Sequence, residues 1–217
     1  MKYQIALHLF TSHVHHDIEY LSEVVELTER YLKDEVDHLE RRVAKEYTIE
    51  LYADDYVLLN KEYPQILRRA LFTTLMSMTE ADLILGCKMC CRAFRISQEF
   101  KKKGNERLIV QALAYLQNQL NIQNQSFKPH WELIQNLWSV RNALVHNDGK
   151  PKLLKDIQSI SKFCASIPTL ELDHHNSIIL KEGSVQMALD AVNSFFTELI
   201  VEIKRNELPK QGHENDR

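Results

Sequence analysis

The residues with the clearest chemical potential are Arg141, Asn142 and His146, in the stretch SVRNALVHNDGK at residues 139–150. A guanidinium binds phosphate oxygens through a rigid fork of donors and stays charged at physiological pH. An imidazole transfers protons near neutral pH, and an amide orients a substrate by hydrogen bonding. Together, these side chains could bind a phosphate ester and move the protons that its cleavage requires.

The elements that must position these residues are a helix and the turn that ends it. Apolar residues recur at helical spacing over residues 130–146, HWELIQNLWSVRNALVH. The residues that follow, Asn147-Asp148-Gly149, are a strong helix stop. The residues expected to face the core are Leu133, Leu137, Val140 and Leu144.

The opposite side of this helix carries a polar stripe beside Trp131 and Trp138. Successive residues step by about 100°, so His146 lies within about 40° of Asn142. Glu132, Gln135 and Ser139 complete the stripe. Arg141 is about 140° from His146, so we expect a deformed last turn or a partner chain to bring both onto one phosphate.

The pattern R-N-A-L-V-H-N-D-G resembles the signature of the HEPN superfamily (higher eukaryotes and prokaryotes nucleotide-binding), in which R-x(4–6)-H lies in a helical bundle. The resemblance covers roughly residues 61–205. It implies a metal-independent endoribonuclease without a cofactor, often a toxin with an antitoxin protein or an antiviral-defence effector. It also implies a homodimer whose two motifs meet at the interface.

The resemblance further implies a role for each motif residue. His146 would be the general base or acid, Arg141 the phosphate clamp and Asn142 a positioning group. The neighbouring residues expected to contact RNA are Trp138, Ser139, Lys150 and Lys152.

The chemistry independently suits RNA, whose 2′-hydroxyl can attack the neighbouring phosphate. That reaction needs a base, an acid for the leaving 5′-oxygen and a cation for the phosphate. One chain supplies a single motif histidine, and a two-fold dimer would supply the second.

Two other functions fit the same residues. The chain could be a non-catalytic HEPN-type module that binds nucleotide, RNA or protein, such as an antitoxin-like partner or a sensor. It could also be a plain helical scaffold that dimerises through the tryptophan-flanked face, with Arg141 and His146 as a solvated helix end.

Composition favours an ordinary globular protein. The chain has 217 residues, of which 44% are hydrophobic and 26% charged, with five Gly and five Pro. A net charge of −3 excludes a strongly basic coat for nucleic acid. No run approaches about 18 uncharged apolar residues, and no secretory signal is evident, so we expect a cytoplasmic protein without a membrane span.

The organisation predicted is all-α: an up-and-down HEPN-like bundle over 61–208, preceded by a helical arm over 1–60 and followed by a disordered tail over 209–217. We expect the arm's helix at 17–45, and a long helix after Pro64 that kinks or breaks near Thr79 or Gly86. TLELDHHNSIILKEG predicts a small β-hairpin before a last helix capped by Ser184.

Other chemistry-bearing residues are assigned structural roles, and no metal site is predicted. CKMCC lacks a second ligand pair for zinc, so its cysteines, at 87, 90 and 91, are expected in the core. HVHHD at 13–17 is interpreted as a helix start capped by Asp17, and Glu80 and Asp82 show no metal-ligand pattern. The lysines at 101–103 are expected in a solvated loop; the alternative is that they, Arg68 and Arg69 touch RNA backbone.

Overall fold

A computed structural model describes residues 2–46, 52–123, 125–151 and 157–205. The α-helices are α1 (Lys2–Glu46), α2 (Ala53–Val57), α3 (Tyr63–Ala93), α4 (Leu108–Leu120), α5 (Lys128–His146), α6 (Ile157–Ser166) and α7 (Ser184–Arg205). The strands are β1 (Leu170–Leu172) and β2 (Ile178–Leu180), paired antiparallel with Leu170 opposite Leu180. The predicted all-α class with one small hairpin is confirmed, whereas the predicted tail at 209–217 lies outside the described residues.

The chain forms two compact units that are interleaved in sequence. The first comprises the described residues of Met1–Ile18, Met76–Ile134 and Asp190–Arg217, and the second those of Glu19–Leu75 and Gln135–Leu189. Helices α1, α3, α5 and α7 therefore each contribute to both units. The predicted division into an arm over 1–60 and a bundle over 61–208 stays a prediction.

The first unit has an aromatic core. Phe195 contacts Phe127 edge-on at a centroid distance of 5.7 Å and the ring of Trp131 at 5.4 Å. Phe10 meets Phe196 edge-on at 6.3 Å. Rings of this size bury large apolar areas, and edge-to-face geometry adds to the stability gained from burial.

Helix α1 begins fifteen residues earlier than predicted, at Lys2 rather than Asp17. Its first turns bury Leu7, Phe10 and Val14, which follow the helical spacing of three and four and continue into Ile18. Asp17 is therefore in mid-helix, and its predicted role as a cap is wrong. The His-rich residues around it hid an apolar face that was already present in the sequence.

Helix α3 is continuous through both positions at which a break was predicted. Gly86 allows the close approach of Phe10, because a Cβ there would lie 2.9 Å from Cζ of that ring. The glycine thus marks helix-to-helix contact, and the predicted break is wrong. One π-helical turn, Leu58–Glu62, joins α2 to α3.

The helical run Ala53–Ala93 is, in the described part of the chain, the one run long and apolar enough to cross a membrane by length and composition. The mean hydropathy of its most apolar window is 1.2, and 44% of that window is buried within the protein. Core helices of globular proteins meet the same criteria. The expectation of no membrane span stays a prediction.

Helix α7 begins at Ser184 as expected, and its predicted core residues are all buried: Leu189, Val192, Phe196, Leu199 and Ile203. The hydroxyl of Ser184 is itself buried and makes no hydrogen bond with any described residue, so the predicted side-chain cap is wrong. Turn geometry starts the helix instead, with the Met187 N–H donating to the Gly183 carbonyl at 2.9 Å.

The hairpin is anchored to α3 at its second strand. Gln65 pairs with the backbone of Leu180 in both directions, donating at 2.8 Å and accepting at 3.0 Å. Arg68 donates to the Leu180 carbonyl at 3.3 Å and forms a two-pronged ion pair with Glu29 at 2.7 and 2.6 Å. The Arg68 and Glu29 side chains are 13% and 18% exposed. This pair therefore belongs to the interior of the second unit.

Replacing Glu29 by Gln should lower the free energy of unfolding by about 2–3 kcal/mol, because it leaves the Arg68 charge largely buried without its counter-charge. Glu171→Gln is the matched control. Its ion pair with Lys181 is equally short, at 2.7 Å, but about half exposed, so its loss should cost less than about 1 kcal/mol. Urea unfolding of both variants measures the difference, and equal costs would contradict the buried role of Glu29.

Candidate functional site

Helix α5 buries one face and leaves the motif accessible, as the periodicity predicted. Leu137 and Val140 are fully buried and Leu144 nearly so, joined by Ile134 and Ala143, whereas Leu133, also predicted in the core, is half-buried. On the polar stripe, Asn142 is half-buried and His146 is exposed. The helix starts at Lys128, two residues before the predicted boundary, with Pro129 in its first turn, where a missing N–H costs nothing.

The guanidinium of Arg141 is held against its own helix. Nη1 donates to Oδ1 of Asn142 at 3.2 Å, and the guanidinium carbon lies 5.6 Å from the ring centroid of Trp138. A cation over an aromatic ring at this distance is attracted to the ring face, and the guanidinium edge stays available for other partners. The Nε of Arg141 is buried and makes no hydrogen bond with any described residue.

His146 is the last residue of α5, and its imidazole is exposed. The turn that carries it is regular, since the Asn147 N–H donates to the Ala143 carbonyl at 3.0 Å. The predicted deformation of the last turn is therefore absent from this helix. Within the described residues no hydrogen bond or ion pair joins His146 to Arg141, so one chain does not bring them together.

The turn after α5 uses two residues with positive φ, as expected of Asn-Asp-Gly. Asp148 has φ of 50° and Gly149 of 75°. The Gly149 N–H returns to the Ala143 carbonyl at 2.9 Å, and its own carbonyl accepts from Ile178 N–H at 2.8 Å. The turn thus joins the motif helix to β2.

Arg69 on α3 holds this turn, a role that the sequence did not reveal. Its Nη2 donates to the Ile178 carbonyl at 3.2 Å, and its Nη1 lies 3.5 Å from the Asp148 carboxylate. Arg68 and Arg69 were considered for RNA contact, yet both have structural partners here. The contact between residues 69 and 178 leaves no local pattern in the sequence, because the two residues are more than a hundred positions apart.

The neighbouring residues predicted to contact RNA differ in accessibility. Trp138 is 7% exposed, and Arg141 lies over its ring, so it supports the guanidinium and offers little surface for a base. The hydroxyl of half-buried Ser139 donates to the Gln135 carbonyl at 3.2 Å. Lys150 lies 3.9 Å from the Asp148 carboxylate. Lys152 lies outside the described residues.

The motif residues do not form a metal-ligand set. Among described residues, one group of three histidine, cysteine or acidic side chains brings its ligand atoms together: His13, Asp17 and Asp82. The cysteines of CKMCC are buried, as predicted. Burial, with a smaller effect of Cys90, raises the pKa of the Cys87 thiol to about 12, which makes it unreactive near neutral pH.

Comparison of the chain with protein-family models, with curated proteins and with solved structures found no match. The resemblance to the HEPN superfamily therefore stays a prediction from the motif.

Replacing Gly149 by Ala should destabilise the protein by about 2 kcal/mol, because positive φ strains a side chain and the new Cβ would meet Arg69. That Cβ would lie 3.2 Å from Nη2 of Arg69. Gly104→Ala is the matched control, with φ of 59° and no atom within 4 Å, and should cost about 1 kcal/mol. Equal effects in urea unfolding would show that Arg69 does not restrict the turn.

Proposed function

We propose that this chain is a metal-independent endoribonuclease of the HEPN type that acts as a homodimer and cleaves RNA by attack of the 2′-hydroxyl. The observation that carries the proposal is the end of α5, where a fixed guanidinium and an exposed imidazole lie within five residues. The mostly helical fold and the exposed end of the polar stripe support it.

In this mechanism Arg141 binds the scissile phosphate. Its contacts with Asn142 and Trp138 fix the plane of the guanidinium before substrate binds. A pre-positioned cation stabilises the charge that builds on the phosphate oxygens, and it needs no reorganisation during the reaction. Asn142 acts by orienting Arg141.

His146 transfers protons. Its exposed imidazole is free to take the 2′-hydroxyl proton or to protonate the leaving 5′-oxygen. One imidazole cannot perform both tasks in a single displacement, so a second copy from the partner chain is required. The dimer also solves the geometric problem, because Arg141 and His146 project about 140° apart from a regular helix.

Biologically, we propose a cytoplasmic toxin or antiviral-defence effector. The resemblance favours such a role, with an antitoxin protein as a possible further partner. Net charge of −3 on the whole chain suits transient RNA contact better than stable coating of nucleic acid.

A non-catalytic HEPN-type binding module is the second candidate. One observation favours it: among the described residues, His146 has no partner that orients its ring, whereas catalytic histidines are usually held by a second group. In that case Arg141 would bind a nucleotide or RNA phosphate without cleaving it.

Incubation of RNA with wild-type protein in EDTA should give fragments with 2′,3′-cyclic phosphate ends. His146→Ala should lower the rate at least about 100-fold, since it removes proton transfer. Arg141→Lys should lower it about 100-fold as well, because it keeps the charge but loses the fork. His130→Ala, at the other end of α5, is the control and should cleave at the wild-type rate.

The same experiment separates the two functions. The binding module would be supported if the protein is folded and dimeric and binds RNA, but cleaves none of a varied panel of RNA substrates. Cleavage that EDTA abolishes while the protein stays folded and dimeric would contradict the metal-independent mechanism.

A further inference from the structure

A histidine and two aspartates that no part of the proposed RNA chemistry uses come together in the first unit. His13 Nε2 on α1 lies 3.6 Å from an Asp17 carboxylate oxygen and 3.4 Å from a carboxylate oxygen of Asp82 on α3. All three ligand atoms lie within 4.8 Å of one another. Both ion-pair distances are longer than the usual range for N–H···O hydrogen bonds, which is about 2.7–3.2 Å.

The two distances from His13 match the edge of a coordination polyhedron. Nitrogen and oxygen ligands at about 2.1 Å from a tetrahedral metal lie about 3.4 Å from each other. His13 and Asp17 are four residues apart and share a helix face, a spacing that lets two side chains reach one ion. The third ligand atom comes from a different helix, as in sites that fix two elements together.

The burial of Asp82 is a separate indication of a cation site. Its side chain is 5% exposed, and no described residue outside the cluster hydrogen-bonds or pairs with it. A carboxylate in such surroundings is poorly compensated by one half-exposed imidazole, and a divalent ion would compensate it.

We propose that His13, Asp17 and Asp82 form a binding site for a divalent transition-metal ion, with Zn²⁺ the best fit. One imidazole nitrogen and two carboxylate oxygens suit Zn²⁺ and leave a fourth position for water. Ca²⁺ prefers six to eight oxygens, about twice the ligands present. The His13 side chain is 47% exposed, which gives the ion a route from solvent.

The site is tested on tag-free protein that has been stripped of metal and titrated with Zn²⁺ against a chromophoric chelator. Wild-type protein should bind one equivalent, and Asp82→Asn and His13→Ala should each weaken binding at least about tenfold. Co²⁺ in the same site should show the visible absorption of tetrahedral coordination in wild-type protein and lose it in both variants. If Asp82→Asn does not fold, Asp17→Asn replaces it as the test variant, because the Asp17 side chain is 27% exposed, and it should weaken Zn²⁺ binding in the same way.

Two controls make the result specific. His15→Ala removes an exposed histidine from the same helix and should bind like wild type. His174 and His175 stack at 3.8 Å in the hairpin turn and are the obvious rival ligands. Binding that survives His13→Ala but is lost in the double variant of His174 and His175 would overturn the proposal, as would the absence of stoichiometric binding.

Discussion

The guanidinium of Arg69 binds the segment that follows α5, and the position of the motif depends on that contact. Its donors reach the Ile178 carbonyl and the Asp148 carboxylate, while Gly149 hydrogen-bonds to β2. The hairpin is in turn fixed to α3 through Gln65 and Arg68. Because His146 is the last helical residue before this turn, α3 and the hairpin determine where its backbone lies.

A second constraint acts within α5 itself. Its core face is almost completely buried, so the helix cannot rotate to bring Arg141 towards His146 without exposing Leu137 and Val140. The last turn is regular, and Arg141 lies over the Trp138 ring of its own helix. In a single chain the two groups therefore stay on different sides of the helix, which is why the proposed mechanism needs a partner chain.

The sequence predicted the features that depend on local periodicity. The apolar face of α5, the hairpin strands and the core of α7 follow from apolar spacing of three, four or two. The stop at Asn147-Asp148-Gly149 follows from residue types that adopt positive φ. The sequence did not predict contacts between segments that are far apart in the chain. Gly86 was interpreted as a break because its neighbour Phe10 could not be known.

The candidate sites show the same limit. The motif was visible as a contiguous pattern, but the Arg69 contact joins residues far apart in the chain. The sequence predicts no shared site for His13 and Asp82, which are 69 positions apart. Their proximity depends on the packing of α1 against α3, which no sequence spacing encodes.

The central claim is that Arg141 of one chain and His146 of the other act on the same phosphate. Wild-type protein should be allowed to exchange subunits with an excess of the double variant Arg141→Ala/His146→Ala, with exchange verified, before RNA cleavage is measured. When about one chain in ten is wild type, only about a tenth of the wild-type chains have a wild-type partner. If the site is shared between chains, the activity per wild-type chain therefore falls to about a tenth of its original value. Unchanged activity per wild-type chain would show that each chain cleaves RNA alone and would contradict the account.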